Sequence, residues 1–569
     1  MLTCTSLVTS ILLAPFEQLS QIDAARAAAL WISNFHFVFS DFDYFGTTAD
    51  ENLFLHTWSL AVEEQFYLAW PLLLMFLLGT WRWQGSTLNV RRLMIGLIAI
   101  IGIGFLYSLF LLYAKPLWAF YLMPSRVWQF AMGALAWLLV SERIRNGEPI
   151  TRRIPRASGW IGLGLIMGAA VELDSNTAYP GAWALLPSVG TSLVLVCGAL
   201  TPSSSLSRLL AVKPLQWIGR ISYSWYLWHW PFMVYDNLLS TSSKAGHTGL
   251  ALILSLGIAV ISYVAVELPI RHHRMLSKRT GMTVVGSLIV MLMFGLASFE
   301  WQRVAMSWSE HPKQKFYSER RTDAPVIYQL GCDSWYFSSQ VRICAFGDQS
   351  APRTAVLIGD SIIGQWFPAF EKIFTVTGWR FLVLTKSACP MVDEPIFYKR
   401  IGMQYTICER WRKDAIQTLV SLKPDVLIMG QASTYAFSES QWVRGTQKIL
   451  TKLAAATGKI FIVRATPRLP FDGPGCLASR AWTSVLISTT RTCSSSSEDK
   501  TDKYVHVWLK RAASDFPNVS ALDLNELVCP RGRCDAEREG QVVFRDSQHL
   551  TGSYAQTLSE TIRQKIDLP

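Results

Sequence analysis

Nine predominantly apolar stretches occupy the first 300 residues of this chain, at about 2–15, 60–79, 93–113, 127–140, 157–172, 183–200, 222–237, 249–267 and 282–300. Lipid offers backbone amides no water to bond, so an apolar segment that crosses it must satisfy its own N–H and C=O groups as a helix. A crossing takes roughly 20 residues, and stretches near that length repeated along a chain predict a multi-span α-helical membrane domain over 1–300. Composition agrees. The chain is 17% charged, where soluble domains hold about a quarter, and its 23 Trp fit the aromatic enrichment of membrane interfaces.

The loops between these stretches divide by charge. One alternating set holds 15 basic residues: Arg82, Arg91, Arg92, Arg143, Arg145, Arg152, Arg153, Arg156, Arg208, Lys213, Arg220, Arg271, Arg274, Lys278 and Arg279. The other set holds 4, namely Arg26, Lys115, Arg126 and Lys244. Positive loops stay cytoplasmic, which puts everything after Phe299 outside and predicts a multi-pass membrane protein with an exported C-terminal part. The net charge of +12 is thus placed for topology, and no nucleic-acid partner is expected. The lipid bilayer is the expected environment; oligomeric state is not readable from the chain.

Cysteine usage points the same way. Cys4 and Cys197 lie in the membrane half, whereas Cys332, Cys344, Cys389, Cys408, Cys476, Cys493, Cys529 and Cys534 all follow it. An even set in an exported region predicts disulfides. Sequential pairing is the simplest of the 105 connectivities eight cysteines allow. No CxxC pair is present, so no metal site is expected.

Residues 301–350 read as a polar connector. From 351 the pattern becomes short apolar strands alternating with helices: "TAVLIG" (354–359), "FLVLT" (381–385), "DVLIMG" (425–430), "KIFIVRA" (459–465) and "SALDL" (520–524), with helical patterns near 361–375, 405–422 and 439–456. That alternation predicts a parallel sheet covered on both faces. "CSSSSEDKTDK" (493–503) reads as a mobile polar loop.

Active groups in such sheets gather at the carboxyl ends of strands. Ser361 of "VLIGDSIIGQW" stands just past such an end. A serine hydroxyl is a weak nucleophile and needs a base within hydrogen-bond reach, commonly a histidine oriented by a carboxylate. "FRDSQHLTGSYA" offers Asp546 and His549 three residues apart. Alone, Gly-Asp-Ser is also a plain turn with a capping serine; together with Asp-x-x-His it predicts a catalytic triad. His311 and His506 lack such context and read as surface residues.

These blocks resemble the SGNH hydrolase family over 351–569: Gly359, Asp360 and Ser361 match its first block, and Asp546 and His549 its last. The resemblance implies a flavodoxin-like, three-layer α/β domain with Ser361 as nucleophile. The family's middle blocks place a Gly and an Asn in the oxyanion hole. Here "LTKSACP" (384–390) has no Gly, and "IMGQASTY" (428–435) offers Gly430 and Gln431. Gln431 either donates to an oxyanion beside the Ser361 N–H or belongs to an ordinary strand-end loop.

The membrane half carries its own unusual stretches. "FLHTWSLAVEEQFYLAWP" (54–71) places His56, Glu63 and Glu64 at a helix entrance. Ionisable groups there either line a functional pathway or anchor the segment at the interface. His229 sits mid-helix in "GRISYSWYLWHWP", as a packing residue or a functional one, and Glu267 and Arg271 of "VELPIRHH" have ion-pair spacing. Together with "PSRVWQFAMGAL", where Gln129 stands in place of the usual Glu, these blocks resemble the acyltransferase 3 family of membrane acyltransferases. The joint architecture resembles that of bacterial polysaccharide O-acetyltransferases of the O-antigen (lipopolysaccharide) type. It implies acetyl-CoA as cytoplasmic donor, a cell-envelope glycan as acceptor and a serine acyl-enzyme between them. The resemblance also implies two preceding helices with an Arg/His pair, so the chain reads as entering the family pattern in its third helix. The alternatives are an anchored carbohydrate acetylesterase and a non-catalytic remnant.

Overall fold

The computed structural model describes residues 1–40, 52–78, 90–145, 157–174, 177–239, 245–376, 378–398, 400–401, 403–483, 492–496, 500–566 and 568. Arg82, Arg152, Arg153, Arg156 and Lys244 of the charge count lie outside these residues.

Each of the nine apolar stretches is helical: Leu2–Leu12, Thr57–Leu78, Val90–Ala114, Val127–Arg145, Ala157–Glu172, Leu185–Leu200, Lys213–Leu239, Ala245–Ser262 and Thr280–Ser309. Among the described residues five spans are long and apolar enough to cross a membrane: Thr57–Leu78, Val90–Ala114, Ala182–Leu200, Thr248–Arg271 and Thr280–Ser309. The others are shorter or more polar. The first stretch ends earlier than its hydropathy implies. Leu2–Leu12 stops before Pro15, which opens a second helix, Pro15–Ala29; proline is suited to a first helical position because its missing N–H has no partner there.

Association of apolar helices in lipid relies on close packing, which small residues permit. Gly162 and Gly190 do this between helices 157–172 and 185–200: a Cβ on Gly162 would lie 2.6 Å from the Gly190 carbonyl oxygen. Leu288, Leu292 and Leu296 of helix 280–309 point outward, as lipid contact requires.

The second domain is built on a six-stranded sheet. Its strands are β1 (Cys344–Gly347), β2 (Arg353–Gly359), β3 (Trp379–Thr385), β4 (Val426–Gly430), β5 (Lys459–Val463) and β6 (Val519–Leu522), in the order β1-β3-β2-β4-β5-β6. All pairs are parallel except β1 with β3. Alternation along β2 divides the core: Ala355 and Leu357 pack into one layer, Val356 and Ile358 into the other. A parallel sheet covered on both faces must be apolar on both faces, which is why these strands read as continuous apolar runs.

The segment 301–350 is more structured than a connector. Helix Thr280–Ser309 runs into it, helix Pro312–Arg321 follows, and β1 adds an edge strand. The expected loop at 493–503 is also partly ordered. Ser494–Ser496 pairs antiparallel with Arg533–Asp535, and helix Lys500–Ala513 begins within it.

Four disulfides join Cys332–Cys344, Cys389–Cys408, Cys476–Cys493 and Cys529–Cys534, the sequential pairing. They close separations of 12, 19, 17 and 5 residues. Closing a loop of about 15 residues restricts the unfolded chain by about 3 kcal/mol. Reduction is therefore expected to lower the thermal midpoint of the second domain by at least about 10 °C, read by melting the full chain with and without a thiol reductant.

The two halves meet at a polar joint. Ala14 N–H donates to Ser479 Oγ at 3.1 Å, and Ser479 Oγ donates to Glu17 Oε2 at 2.9 Å. Arg321 lies 3.6 Å from Asp472. The same loop reaches the Asp546 segment: Leu469 N–H donates to the Ser547 carbonyl at 2.7 Å, and Gly473 N–H to the Asp546 carbonyl at 3.3 Å.

Candidate functional site

Strand β2 ends at Gly359, and helix Ser361–Gly364 begins two residues later. The turn depends on glycine. Gly359 has φ +142°, and a Cβ there would fall 2.0 Å from the Gly430 carbonyl oxygen and 2.9 Å from Ile363. Gly359→Ala is expected to destabilise the domain by about 3 kcal/mol, through strain at this φ and the collision with β4. Chemical denaturation of the full chain measures it; an unchanged midpoint would contradict the close approach.

Asp360 caps the helix. Its Oδ1 accepts from Ile362 N–H at 2.8 Å, and its Oδ2 accepts from Ala432 N–H at 2.9 Å and Tyr435 Oη at 2.7 Å. Burial pushes this carboxyl up to about 6, against the pull of those three donors and of His549. Asp360 thereby ties the turn after β2 to the loop after β4 and fixes where Ser361 stands.

Ser361 Oγ lies 2.8 Å from His549 Nε2, and His549 Nδ1 lies 2.7 Å from Asp546 Oδ2. His549 comes from 188 positions away in the chain. Asp546 Oδ1 accepts the backbone N–H groups of Gln548 and His549, each at 2.7 Å, so the carboxylate organises its own loop. Burial opposes its charge, but the His549 imidazole, its hydrogen bond and Arg545 outweigh that and hold Asp546 well below the ordinary carboxylate range. An ionised Asp546 accepts a proton-bearing Nδ1, which leaves Nε2 as the acceptor facing Ser361.

Gln365, absent from the sequence reading, braces the arrangement. Its Oε1 accepts Leu550 N–H at 2.6 Å, and its Nε2 donates to the Ile362 carbonyl at 2.8 Å and Thr466 Oγ1 at 2.6 Å. One side chain thus links the serine helix, the histidine loop and the loop after β5. The available signal was spacing: Gln365 is a polar residue four after Ser361 in an otherwise apolar run, on the same helix face.

The two weak blocks resolve differently. In 384–390, Ala388 adopts φ +58°, the left-handed conformation in which a glycine would be the easy choice. Gln431, after β4, is buried, and its Nε2 and Oε1 have no hydrogen-bond partner among the described residues. A buried amide without partners is costly, and a polar group brought by substrate would relieve that.

In the membrane half, His56 is buried and its ring lies 6.0 Å from that of His229 and 5.6 Å from that of Tyr226. His229 Nδ1 is 2.8 Å from the Tyr226 carbonyl, and Tyr226 Oη donates to the His56 carbonyl at 2.7 Å. The structure therefore brings His56 and His229 together. Glu63 instead accepts from Tyr67 one turn along its own helix, and Glu64 is partly exposed beside it. Glu267 stands 3.9 Å from Arg271, as expected, and also accepts from Ser224 Oγ at 2.7 Å.

His311 is exposed, but His506 is not a surface residue. It lies on the inner face of helix 500–513, 3.9 Å from Asp523 and close to Arg464. Burial first, and then Arg464, lowers its imidazole to about 4. The unfolded chain takes up a proton at the ordinary value near 6.5, while the folded chain resists until about 4. Stability from this site is present above pH 6.5 and is lost as pH falls toward 4. His506→Gln is expected to flatten the pH dependence of the melting midpoint in that window.

Comparison with known proteins adds the following. Residues 2–266 match the family described as "Acyltransferase domain", and residues 331–564 the family described as "SGNH domain (fused to AT3 domains)". The chain is 27% identical over 304 residues to a Staphylococcus aureus protein named O-acetyltransferase OatA, covering 51% of this chain and 49% of that one. It is 28% identical over 258 residues to the Listeria monocytogenes Peptidoglycan O-acetyltransferase OatA, covering 44% and 40%. The chain thus spans about half the length of the curated relatives it matches. A solved structure, the periplasmic domain of a lipopolysaccharide acetyltransferase from Salmonella ser. Paratyphi A, aligns over 45% of this chain and 97% of its own, at 12% identity and a TM-score of 0.33.

Proposed function

Because the chain joins an acyltransferase domain to an SGNH domain of the kind fused to such domains, we propose that it moves acetyl groups across a membrane onto hydroxyls of a cell-envelope polysaccharide. The observation that carries the reading is the continuous Ser361–His549–Asp546 hydrogen-bond chain at the carboxyl end of β2.

In this reading Ser361 Oγ attacks an acetyl carbonyl while its proton passes to His549 Nε2. Asp546 stabilises the imidazolium so formed. The Ser361 N–H and Gln431 face the developing oxyanion. His549 then returns the proton to the departing group. A sugar hydroxyl next attacks the serine ester and gives its proton to His549, and Ser361 recovers that proton as the acetylated sugar leaves. Acetyl-CoA is the cytoplasmic donor, and His56, Glu63, Glu64 and His229 are the membrane-domain candidates for handling the acetyl group on its way out. The four disulfides and the basic-loop asymmetry support an inner-membrane protein with a periplasmic second domain.

The name of the Listeria relative points to peptidoglycan, and the sequence blocks to an O-antigen-like glycan. Alkali-labile acetate should be measured on purified peptidoglycan and on purified lipopolysaccharide from cells with and without the chain. Loss of acetate from one of them identifies the acceptor; no change in either contradicts the function. The triad also serves hydrolysis, and ester turnover by the purified full chain that ignores added glycan would favour an anchored acetylesterase.

A further inference from the structure

We infer that the membrane domain holds a binding site for the phosphate of a lipid head group, centred on Arg126. The inference concerns binding alone and is independent of the role given to Ser361.

Arg126 follows a short turn, Met123–Ser125, and immediately precedes helix Val127–Arg145. It is only 8% exposed. Its Nε and Nη2 both donate to the Phe120 carbonyl, at 3.2 and 2.9 Å, and its guanidinium lies 5.6, 5.2 and 5.0 Å from the ring centres of Trp58, Phe120 and Tyr179. These partners are neutral. Among the described residues no carboxylate stands within 4 Å of it. A cation withdrawn from water among apolar helices is expensive unless an opposite charge meets it, and none of the described residues supplies one.

Arg126 lines a cavity of about 400 Å³. Three helices contribute their first turns to its wall: 57–78 through Trp58 and Ser59, 127–145 through Gln129 and Phe130, and 185–200 through Pro187 and Ser188. Each brings the positive end of its dipole to the same space. Among the described residues none that lines it is acidic. Guanidinium and three helix N-termini together make a seat for an anion, and a phosphate can engage the fork geometry of arginine through two oxygens.

The rest of the wall decides what carries the phosphate. Val62, Gly133 and Leu195 extend the cavity along the same three helices in the direction of their apolar middles, with the hydroxyls of Thr191 and Ser192 between Ser188 and Leu195. A charged head with an apolar continuation fits a lipid phosphate, with its head at the Arg126 end and its chains among the helices. Phe120, which gives its carbonyl to Arg126, lies beside the segment 114–118 that faces Arg400, Ile401 and residues 403–407 of the second domain across a shared cavity. The head group would therefore be held at the end of the bundle that carries the second domain.

The test uses the full chain in a neutral detergent and native mass spectrometry. Dioleoylphosphatidylglycerol and a polyprenyl monophosphate are titrated in separate arms, with dioleoylglycerol and coenzyme A as contrasts. One retained molecule of a phosphate lipid is expected, with retention lowered at least tenfold in Arg126→Gln and no retention of dioleoylglycerol. Stronger retention of the polyprenyl phosphate identifies a carrier lipid, and equal retention a bilayer lipid; both support the site. Gly133→Leu provides a second readout, because a Cβ at Gly133 meets nothing within 4 Å and the longer side chain would fill the apolar part without touching Arg126. It too should weaken retention. Retention unchanged in both variants, or retention of coenzyme A in place of the lipids, overturns the inference.

Discussion

Ser361→Ala is expected to remove acetyl transfer to the envelope polysaccharide, with a rate loss of at least about 10³-fold, since losing one member of a serine triad generally abolishes the benefit of all three. The fold should survive. Ser361 is buried at the first position of its helix, and Asp360, which caps that helix and binds Ala432 and Tyr435, is untouched. Alanine is also a strong helix former. Acetate on the purified polysaccharide and the melting midpoint of the variant should be measured together. Lost acetate with an unchanged midpoint is the expected pair. Retained acetate would remove Ser361 from the reaction.

Asp546→Asn is expected to lower transfer by about 10²- to 10⁴-fold. The amide can still accept the Gln548 and His549 N–H groups through its oxygen. Its nitrogen, however, is a donor facing Nδ1, which favours the imidazole tautomer with its proton on Nε2, pointed at Ser361. The substitution also removes a charge that the fold stabilises. Asp546 is held below the ordinary carboxylate range, so its contribution to stability is present above about pH 4 and is lost as pH falls through its folded value. The variant should therefore be less stable than the parent at pH 7 and approach it in acid. A rate loss without that pH signature would mean that the carboxylate is not ionised in the fold.

Much of this site was legible because two short motifs stand in a readable frame. Strands β2 to β5 are largely apolar on both faces, so their runs are long and their ends are marked by Gly359, Gly430 and polar loops. Once the order of a parallel sheet is assumed, Ser361 and the Asp546–His549 loop must approach the same edge. The membrane half was legible for the same kind of reason: lipid imposes length and apolarity on each segment.

What escaped depended on tertiary contact. β1 is four residues of alternating partial exposure, held by its pairing with β3 and by the Cys332–Cys344 disulfide, and its own sequence carries no strand signal. His506 sits in a run rich in charge, and its burial follows from how helix 500–513 packs near Asp523. Ala388 holds a backbone conformation usually marked by glycine. Gln365 acts through the nearby Ile362 carbonyl and through Thr466 and Leu550, which lie on loops far from it in sequence. Arg126 counted as one of four sparse loop cations, and only the helices around it reveal that it has no carboxylate partner among the described residues.

The central claim is that Ser361 carries the acetyl group. The full chain should be mixed with a soluble acetyl ester, quenched in acid within its first turnover, and digested for peptide mass analysis. The peptide containing Ser361 should gain the mass of one acetyl group, the gain should fade as polysaccharide is added, and Ser361→Ala should never show it. Polysaccharide acetylation proceeding while Ser361 stays unmodified would contradict the account.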